Sequence, residues 1–267
     1  MATDIMDRWL VSGKPACIGV QLLCPLANPH VRGTALCLQR GQADVFMLQG
    51  TDQRRLMLKK LRRPAAHDYL QAIARVLPRH PGLEAGFNRV ILGPNALRPA
   101  AGTFSTPELA EFLDGAILMH FVQGDAWNLL ADDLRLSVRT LSGDDRITLG
   151  WRLMELVGLL ESSGCAHRDL SSGNVLVQVV SHQVHLIDFD SLYHPSLAMP
   201  ATTTLATPGY APPFAMKCKG HAATWCPHAD RFAAGLLIAE LLVVEPGAPV
   251  AADGRLFEQE ELDTGDG

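Results

Sequence analysis

The sequence lacks the features that mark secreted, membrane or nucleic-acid proteins. Its first residues, M-A-T-D-I-M-D-R-W-L, carry acids early and no apolar core of signal-peptide length. The longest apolar run, Phe232 to Val244, is interrupted by Glu240 and is too short to span a bilayer. The six cysteines (17, 24, 37, 165, 218 and 226) are scattered, without the pattern of a small disulfide scaffold, so reduced thiols in a cytoplasm are expected. A net charge of −5 argues against binding nucleic acid through its phosphates. There is no internal repeat and no low-complexity tract. What remains is a globular composition, 48% apolar and 19% charged over 267 residues, enough for one two-lobed domain or two small ones.

The informative stretch runs from Cys165 to Leu192. Asp169 and Asn174 stand five residues apart in a loop-like segment, and Asp188 follows at the end of an apolar run. Two β-like runs, Val175 to Val180 and Val184 to Ile187, lie between, with Ser181, His182 and Gln183 as a hairpin connection. A hairpin joins its two ends, so Asn174 and Asp188 are expected to face each other. An amide oxygen beside a carboxylate suits a hard cation such as Mg²⁺. Asp169 is placed to orient a hydroxyl nucleophile and accept its proton.

His167-Arg168-Asp169-Leu170-x-x-x-Asn174 and Asp188-Phe189-Asp190 resemble the catalytic loop and metal-binding motif of protein kinases. The second motif departs at Asp190, where the family usually has Gly. The resemblance extends over roughly residues 12 to 245 and implies an α+β, bilobal fold. Residues 1–122 would form a β-rich N-lobe with one helix and the hinge, and residues 123–267 a mainly helical, shortened C-lobe.

Carried along the chain, the resemblance assigns further residues. Apolar runs at 17–26, 34–39, 45–48 and 56–61 read as strands. Arg40 to Phe46 is similar to a reduced glycine-rich loop, with Gly41 retained, Ala43 in place of the last glycine, and Val45 as roof of the adenine. Lys59 matches the strand lysine that touches the ATP phosphates, with Lys60 as the alternative; alternation puts Met57 and Lys59 on one strand face. Residues 65–77 read as a helix, but it lacks the glutamate that pairs with that lysine. Asp68, Gln71 and the later Glu84 are the candidates, with Glu84 preferred. After a Pro/Gly-rich connection from 93 to 107, Met119 matches the gatekeeper, and the backbone of His120 and Val122 would bind adenine.

In the C-lobe, Ile147 to Ser162 is an amphipathic helix with capping groups at Ser142 to Asp145 and a C-cap at Gly164. Thr207-Pro-Gly-Tyr-Ala-Pro-Pro213 resembles the end of an activation segment, with Pro213 replacing the usual Glu. Arg168 would dock a loop phosphate, carried on Thr202, Thr203 or Thr204 or formed at Thr207. His167 and Phe189 would be structural, and Asp230, opening the apolar helix to Val244, would anchor the catalytic loop or cap the helix. The last helices of a full kinase C-lobe do not fit after it.

The resemblance implies transfer of the γ-phosphate of ATP, with Mg²⁺ or Mn²⁺, to Ser or Thr of an unidentified protein. Self-phosphorylation and a cognate phosphatase follow as further expectations. Catalysis would rest on Lys59, Asp169 and Asn174, and metal binding on Asn174 and Asp188. Ser171 stands where Ser/Thr kinases usually carry a Lys. Two alternatives stay open: a pseudokinase or scaffold, and a small-molecule phosphotransferase similar to aminoglycoside or choline kinases, which share an I-D-F-[DE] motif with residues 187–190. Cys218, His221, Cys226 and His228 form a separate candidate zinc set.

Overall fold

The structure is a computed structural model that describes residues 2–40, 43–62, 67–199, 207, 209–212 and 225–248. The chain divides into two compact units. One comprises Met1–Gln71 with Asn88–Phe121, the other Ala72–Phe87 with Val122–Gly267.

The first unit is built on an antiparallel sheet of eight strands. They are β1 (Ala16–Ile18), β2 (Gln21–Pro25), β3 (Cys37–Arg40), β4 (Ala43–Gly50), β5 (Arg55–Leu61), β6 (Arg89–Ile91), β7 (Leu97–Arg98) and β8 (Ile117–His120). Their order is β6-β8-β5-β4-β2-β1-β7, and β3 also pairs with β4. β2 and β3 therefore lie along the same edge of β4, opposite residues 48–50 and 43–46. The expected run from Cys17 to Leu26 is in fact two strands, because Gly19, at φ 62°, reverses the chain.

Two helices cover one face of this sheet, and neither was expected. α1 (Ala2–Ser12) buries Ile5, Met6 and Trp9, and α4 (Pro107–Leu113) buries Leu109, Phe112 and Leu113. They join Leu23, Phe46, Leu48, Leu56, Leu58 and Leu118 in a single core. Trp9 stacks on Phe104, and Phe112 meets Phe46 edge-on at 5.8 Å. α4 starts where Thr106 accepts from the Leu109 N–H, with Pro107 supplying a preset helical φ. The Pro/Gly-rich connection thus ends in a capped helix.

α2 (His67–Val76) buries Leu70 and Ile73, and Leu77 just beyond it is also buried. A 3-10 turn (Pro81–Leu83) leads into α3 (Glu84–Phe87), a single helical turn. In the second unit, β9 (Asp125–Ala126) pairs with β10 (Val175–Gln178), which pairs with β11 (Gln183–Leu186). Gly124 and Asp125 thus enter a strand, and the helix α5 (Trp127–Arg135) starts two residues later. The hairpin is shorter than alternation suggested. Val179 and Val180 leave the ladder in a 3-10 turn, Val180 is 99% exposed, and His182 closes the turn in the left-handed region.

α6 (Gly143–Ser162) packs against α7 (Arg231–Val243). Ser142 and Asp145 form a reciprocal capping box, and Gly164 ends the helix at φ 73°. Gly150 lies against Ile238, where a Cβ would come to 3.2 Å. Glu161 receives two bonds from the Arg231 guanidinium, at 2.8 and 2.5 Å. Among the described residues no helix is long and apolar enough to cross a membrane.

Candidate active site

In the first unit the two sheet faces differ. Leu56, Leu58 and Phe46 point into the core beneath α1 and α4. On the opposite face, Val45 pairs with Lys59, Lys59 with Ile117, and Met57 with Met119, so these side chains share one side. Lys59 is only 7% exposed, an unusual position for an ammonium outside a binding site. Lys60 lies on the core side, where its Nζ donates to the Asp114 carbonyl at 2.6 Å and sits 5.8 Å from the Phe112 ring. Burial lowers its pKa, with Asp114 and Glu111 acting in the opposite direction. Lys59 is thus the lysine on the sheet face away from α1 and α4. Met119 is half-buried, His120 is exposed at the strand end, and Val122 opens the second segment of the second unit. Gly41 lies outside the described residues. Asp68 and Gln71 are exposed on α2, while Glu84 opens α3.

In the second unit the residues from Ala166 to Asn174 form a loop held from several sides. Asp230 is buried, and its carboxylate accepts the His167 N–H at 2.5 Å and the Arg168 N–H at 2.7 Å. It makes no capping bond to its own helix, so of the two roles expected from the sequence the geometry displays the anchor. Burial pushes its carboxyl above the usual range, opposed by His167, Arg168 and the two donors. His167 Nε2 lies 2.8 Å from the Ile187 carbonyl, which can only accept. The hydrogen therefore sits on Nε2, and Nδ1 accepts from the Asp169 N–H at 3.3 Å.

The His167 ring packs on Phe189 with centroids 4.8 Å apart. Phe189 in turn rests on Gly86 of α3, where a Cβ would come within 2.7 Å of the ring and would also strike Leu77. Gly82 is equally confined by Leu156 and the Val184 carbonyl. Two polar residues at this loop, Arg168 (φ 66°) and Asp188 (φ 68°), occupy the left-handed region, which concentrates at functional sites.

Asn174 is buried and donates from Nδ2 to the Asp169 carbonyl at 2.8 Å. That bond directs the amide oxygen away from Asp169. The Ile187 N–H donates to the Asn174 carbonyl at 3.0 Å, extending the hairpin ladder by one step and setting Asp188 next in line. Asn174 is thus opposite Ile187 in register, with Asp188 one residue beyond on the other arm. An amide oxygen and a carboxylate make a donor pair suited to Mg²⁺ or Mn²⁺. Asp169 itself is half-buried, and its Oδ1 accepts a 2.7 Å bond from the Thr207 hydroxyl.

Arg168 does not extend into solvent. It is 3% exposed, its guanidinium carbon lies 4.7 Å from the Trp225 ring centroid, and it donates to the Ser191 carbonyl at 3.4 Å. Nothing in the sequence singles out Trp225, because the partnership exists only in the folded chain. Thr202, Thr203 and Thr204 lie outside the described residues, as do Cys218 and His221. His228 lies 3.1 Å from Glu161, and no group of three or more His, Cys, Asp or Glu among the described residues is arranged to hold a metal.

The family model for the protein kinase domain matches residues 111–262, more than half of the chain. The chain belongs to the protein kinase family. It is a kinase-type phosphotransferase with an α+β kinase fold, and that family uses ATP with a divalent metal. The matched range contains Asp169, Asn174, Asp188 and Asp230, while the strand bearing Lys59 precedes it. No curated protein matches the chain.

Proposed function

We propose that this kinase transfers the γ-phosphate of ATP to Ser or Thr hydroxyls of proteins, its own chain included. The observation that carries the reading is the Thr207 hydroxyl on Asp169 Oδ1. It supports a segment beyond Asp188 that folds back onto the catalytic carboxylate, as peptide docking requires and small-molecule transfer does not.

Asp169 orients the attacking hydroxyl and accepts its proton, a contribution of about 10²- to 10⁴-fold. Lys59 offsets charge on the ATP phosphates, and Val45, Met119 and the backbone of His120 and Val122 take the adenine. Asn174 and Asp188 hold the divalent cation, which neutralises phosphate charge when bound. Positioning and charge compensation supply most of the rate in such transfers, and the Asp230 anchor serves the first. Ser171 supplies no charge at the position where a lysine is usual, so a slow turnover is expected. The scattered cysteines, without a disulfide-scaffold pattern, support a cytoplasmic location.

The test is the intact mass of the protein after incubation with Mg-ATP, beside Asp169→Asn. Mass increments of phosphate in the wild type alone, mapped to Ser or Thr, are the expected result. No increment on the chain and none on a panel of Ser/Thr peptides overturns the reading in favour of a pseudokinase or a small-molecule enzyme.

A further inference from the structure

Arg168 precedes the catalytic Asp169, and its backbone is fixed by Asp230 in a conformation that non-glycine residues seldom adopt. Its side chain leads into an aromatic enclosure. The guanidinium lies over Trp225, and Tyr193 meets the same indole edge-on at 5.2 Å. Tyr193 returns to the catalytic loop through two backbone bonds with Ala166, at 2.8 and 3.1 Å. The contacts close a circuit from Ala166 through Arg168, Trp225 and Tyr193 back to Ala166. The circuit joins the loop bearing Asp169 to the chain that follows Asp188.

We propose that Trp225 is a positioning residue for catalysis: it holds Arg168, and through it Asp169, in the working arrangement without a phosphate on the activation segment. The proposal rests on the kinase reading above. A guanidinium stacked on an indole and almost wholly removed from water gains a cation–π attraction that strengthens with desolvation. Docking a phosphate on Arg168 requires access to the same guanidinium, which Trp225 and the Ser191 carbonyl already engage. The role that the kinase resemblance implies for a phosphothreonine is filled in the folded chain by an indole.

Two measurements separate failure of this proposal from failure of the kinase assignment. The first is a double-mutant cycle on denaturant unfolding with Arg168→Met and Trp225→Leu, which needs no activity. A coupling of roughly threefold or more in the unfolding constant is expected, and its absence overturns the latch. The second is transfer kinetics for the wild type, Trp225→Ala and Trp225→Phe, before and after treatment with a broad-specificity phosphatase. The Ala variant is expected to lose about tenfold or more in kcat with KM for ATP nearly unchanged, and Phe to restore most of it. The wild type is expected to keep its kcat after dephosphorylation. A large loss on dephosphorylation, or an Ala variant with unaltered kcat, overturns the proposal. If Trp225→Ala does not fold, Trp225→Phe and the phosphatase arm decide. If the wild type transfers nothing, the kinase reading fails while the cycle still reports on the contact.

Discussion

The hydroxyl of Thr207 donates to Asp169 Oδ1 across 2.7 Å, spanning 38 residues of sequence. A hydroxyl already bonded to the proposed base sets the orientation of that carboxylate. Replacing Thr207 by Val is expected to lower kcat roughly 10- to 100-fold. Thr207→Ser is expected to keep most of it. Steady-state kinetics of both, with unfolding curves to show that the fold is intact, check this.

Asp230 is a buried carboxylate that satisfies two buried N–H groups at once. Asp230→Ala strands both donors and is expected to destabilise the second unit by roughly 2–5 kcal/mol. Equilibrium denaturation of the variant measures the change. A loss under ~1 kcal/mol contradicts the anchor.

Gly82 and Gly86 have no room for a methyl group, but their neighbours differ. A Cβ at Gly82 would lie 2.7 Å from the Val184 backbone carbonyl, which cannot rotate away, whereas Gly86 faces the side chains of Leu77 and Phe189. Both alanine variants are expected to lose about 1–3 kcal/mol. Gly82→Ala should be the more damaging for stability and Gly86→Ala, beside Phe189, for activity. Denaturation and kinetics on the two variants test that ordering.

Burial pushes the Cys165 thiol up to about 11, with Asp230 adding to the effect. The thiolate is the reactive form, so Cys165 is expected to alkylate far more slowly than Cys226 in the native protein at pH 8. Peptide mapping after a brief iodoacetamide pulse reads this directly. Comparable labelling of the two would contradict the buried position.

Arg231 beside Glu161 holds that carboxyl below its usual value. Because the folded-state value is depressed, the stabilisation is complete above the unfolded-state value of about 4.3 and is lost as pH falls through the lower folded value. Below pH 5 the difference in Tm between the wild type and Glu161→Gln is therefore expected to shrink as the pH falls. A difference that grows on acidification would reverse the sign and rule out this linkage.

The parts legible in the sequence were those with a local signature. The capping groups at Ser142 and Asp145, the glycine after α6 and the apolar run of α7 each announce themselves within a few residues. The kinase motifs pointed to the loop that Asp230 holds, and hairpin logic brought the ends of β10 and β11 together, where the Ile187 N–H meets the Asn174 carbonyl. Strand alternation separated Lys59 from Lys60 by face, and the core beneath α1 and α4 explains why those faces differ. α1 and α4 were missed although their signals were present. Ile5, Met6 and Trp9 have helical spacing, and Thr106-Pro107 before Leu109, Phe112 and Leu113 is a cap followed by a stripe. Val179 and Val180 misled because β-branched residues favour strands, while the left-handed turn at His182 requires the ladder to end earlier. Trp225 over Arg168 was beyond reach, since 57 residues separate them and neither carries a local mark of the other.

The paired edge of β4 is shared by β2 and β3, and the chain between them leaves and returns by the Ala27–Ala35 bridge. Positions 29–33 of that excursion are exposed. Both feet of the detour are pinned to β4, by the Leu26 N–H to the Met47 carbonyl and the Met47 N–H to the Leu36 carbonyl. Extra length inserted at the tip therefore has no route by which to slide the hairpin of β3 and β4 out of register. This detour is a natural seam for a peptide tag or fluorophore. An epitope inserted after His30 should leave the stability of the sheet unchanged, whereas the same insertion in β5, which pairs with both β4 and β8, should abolish its folding.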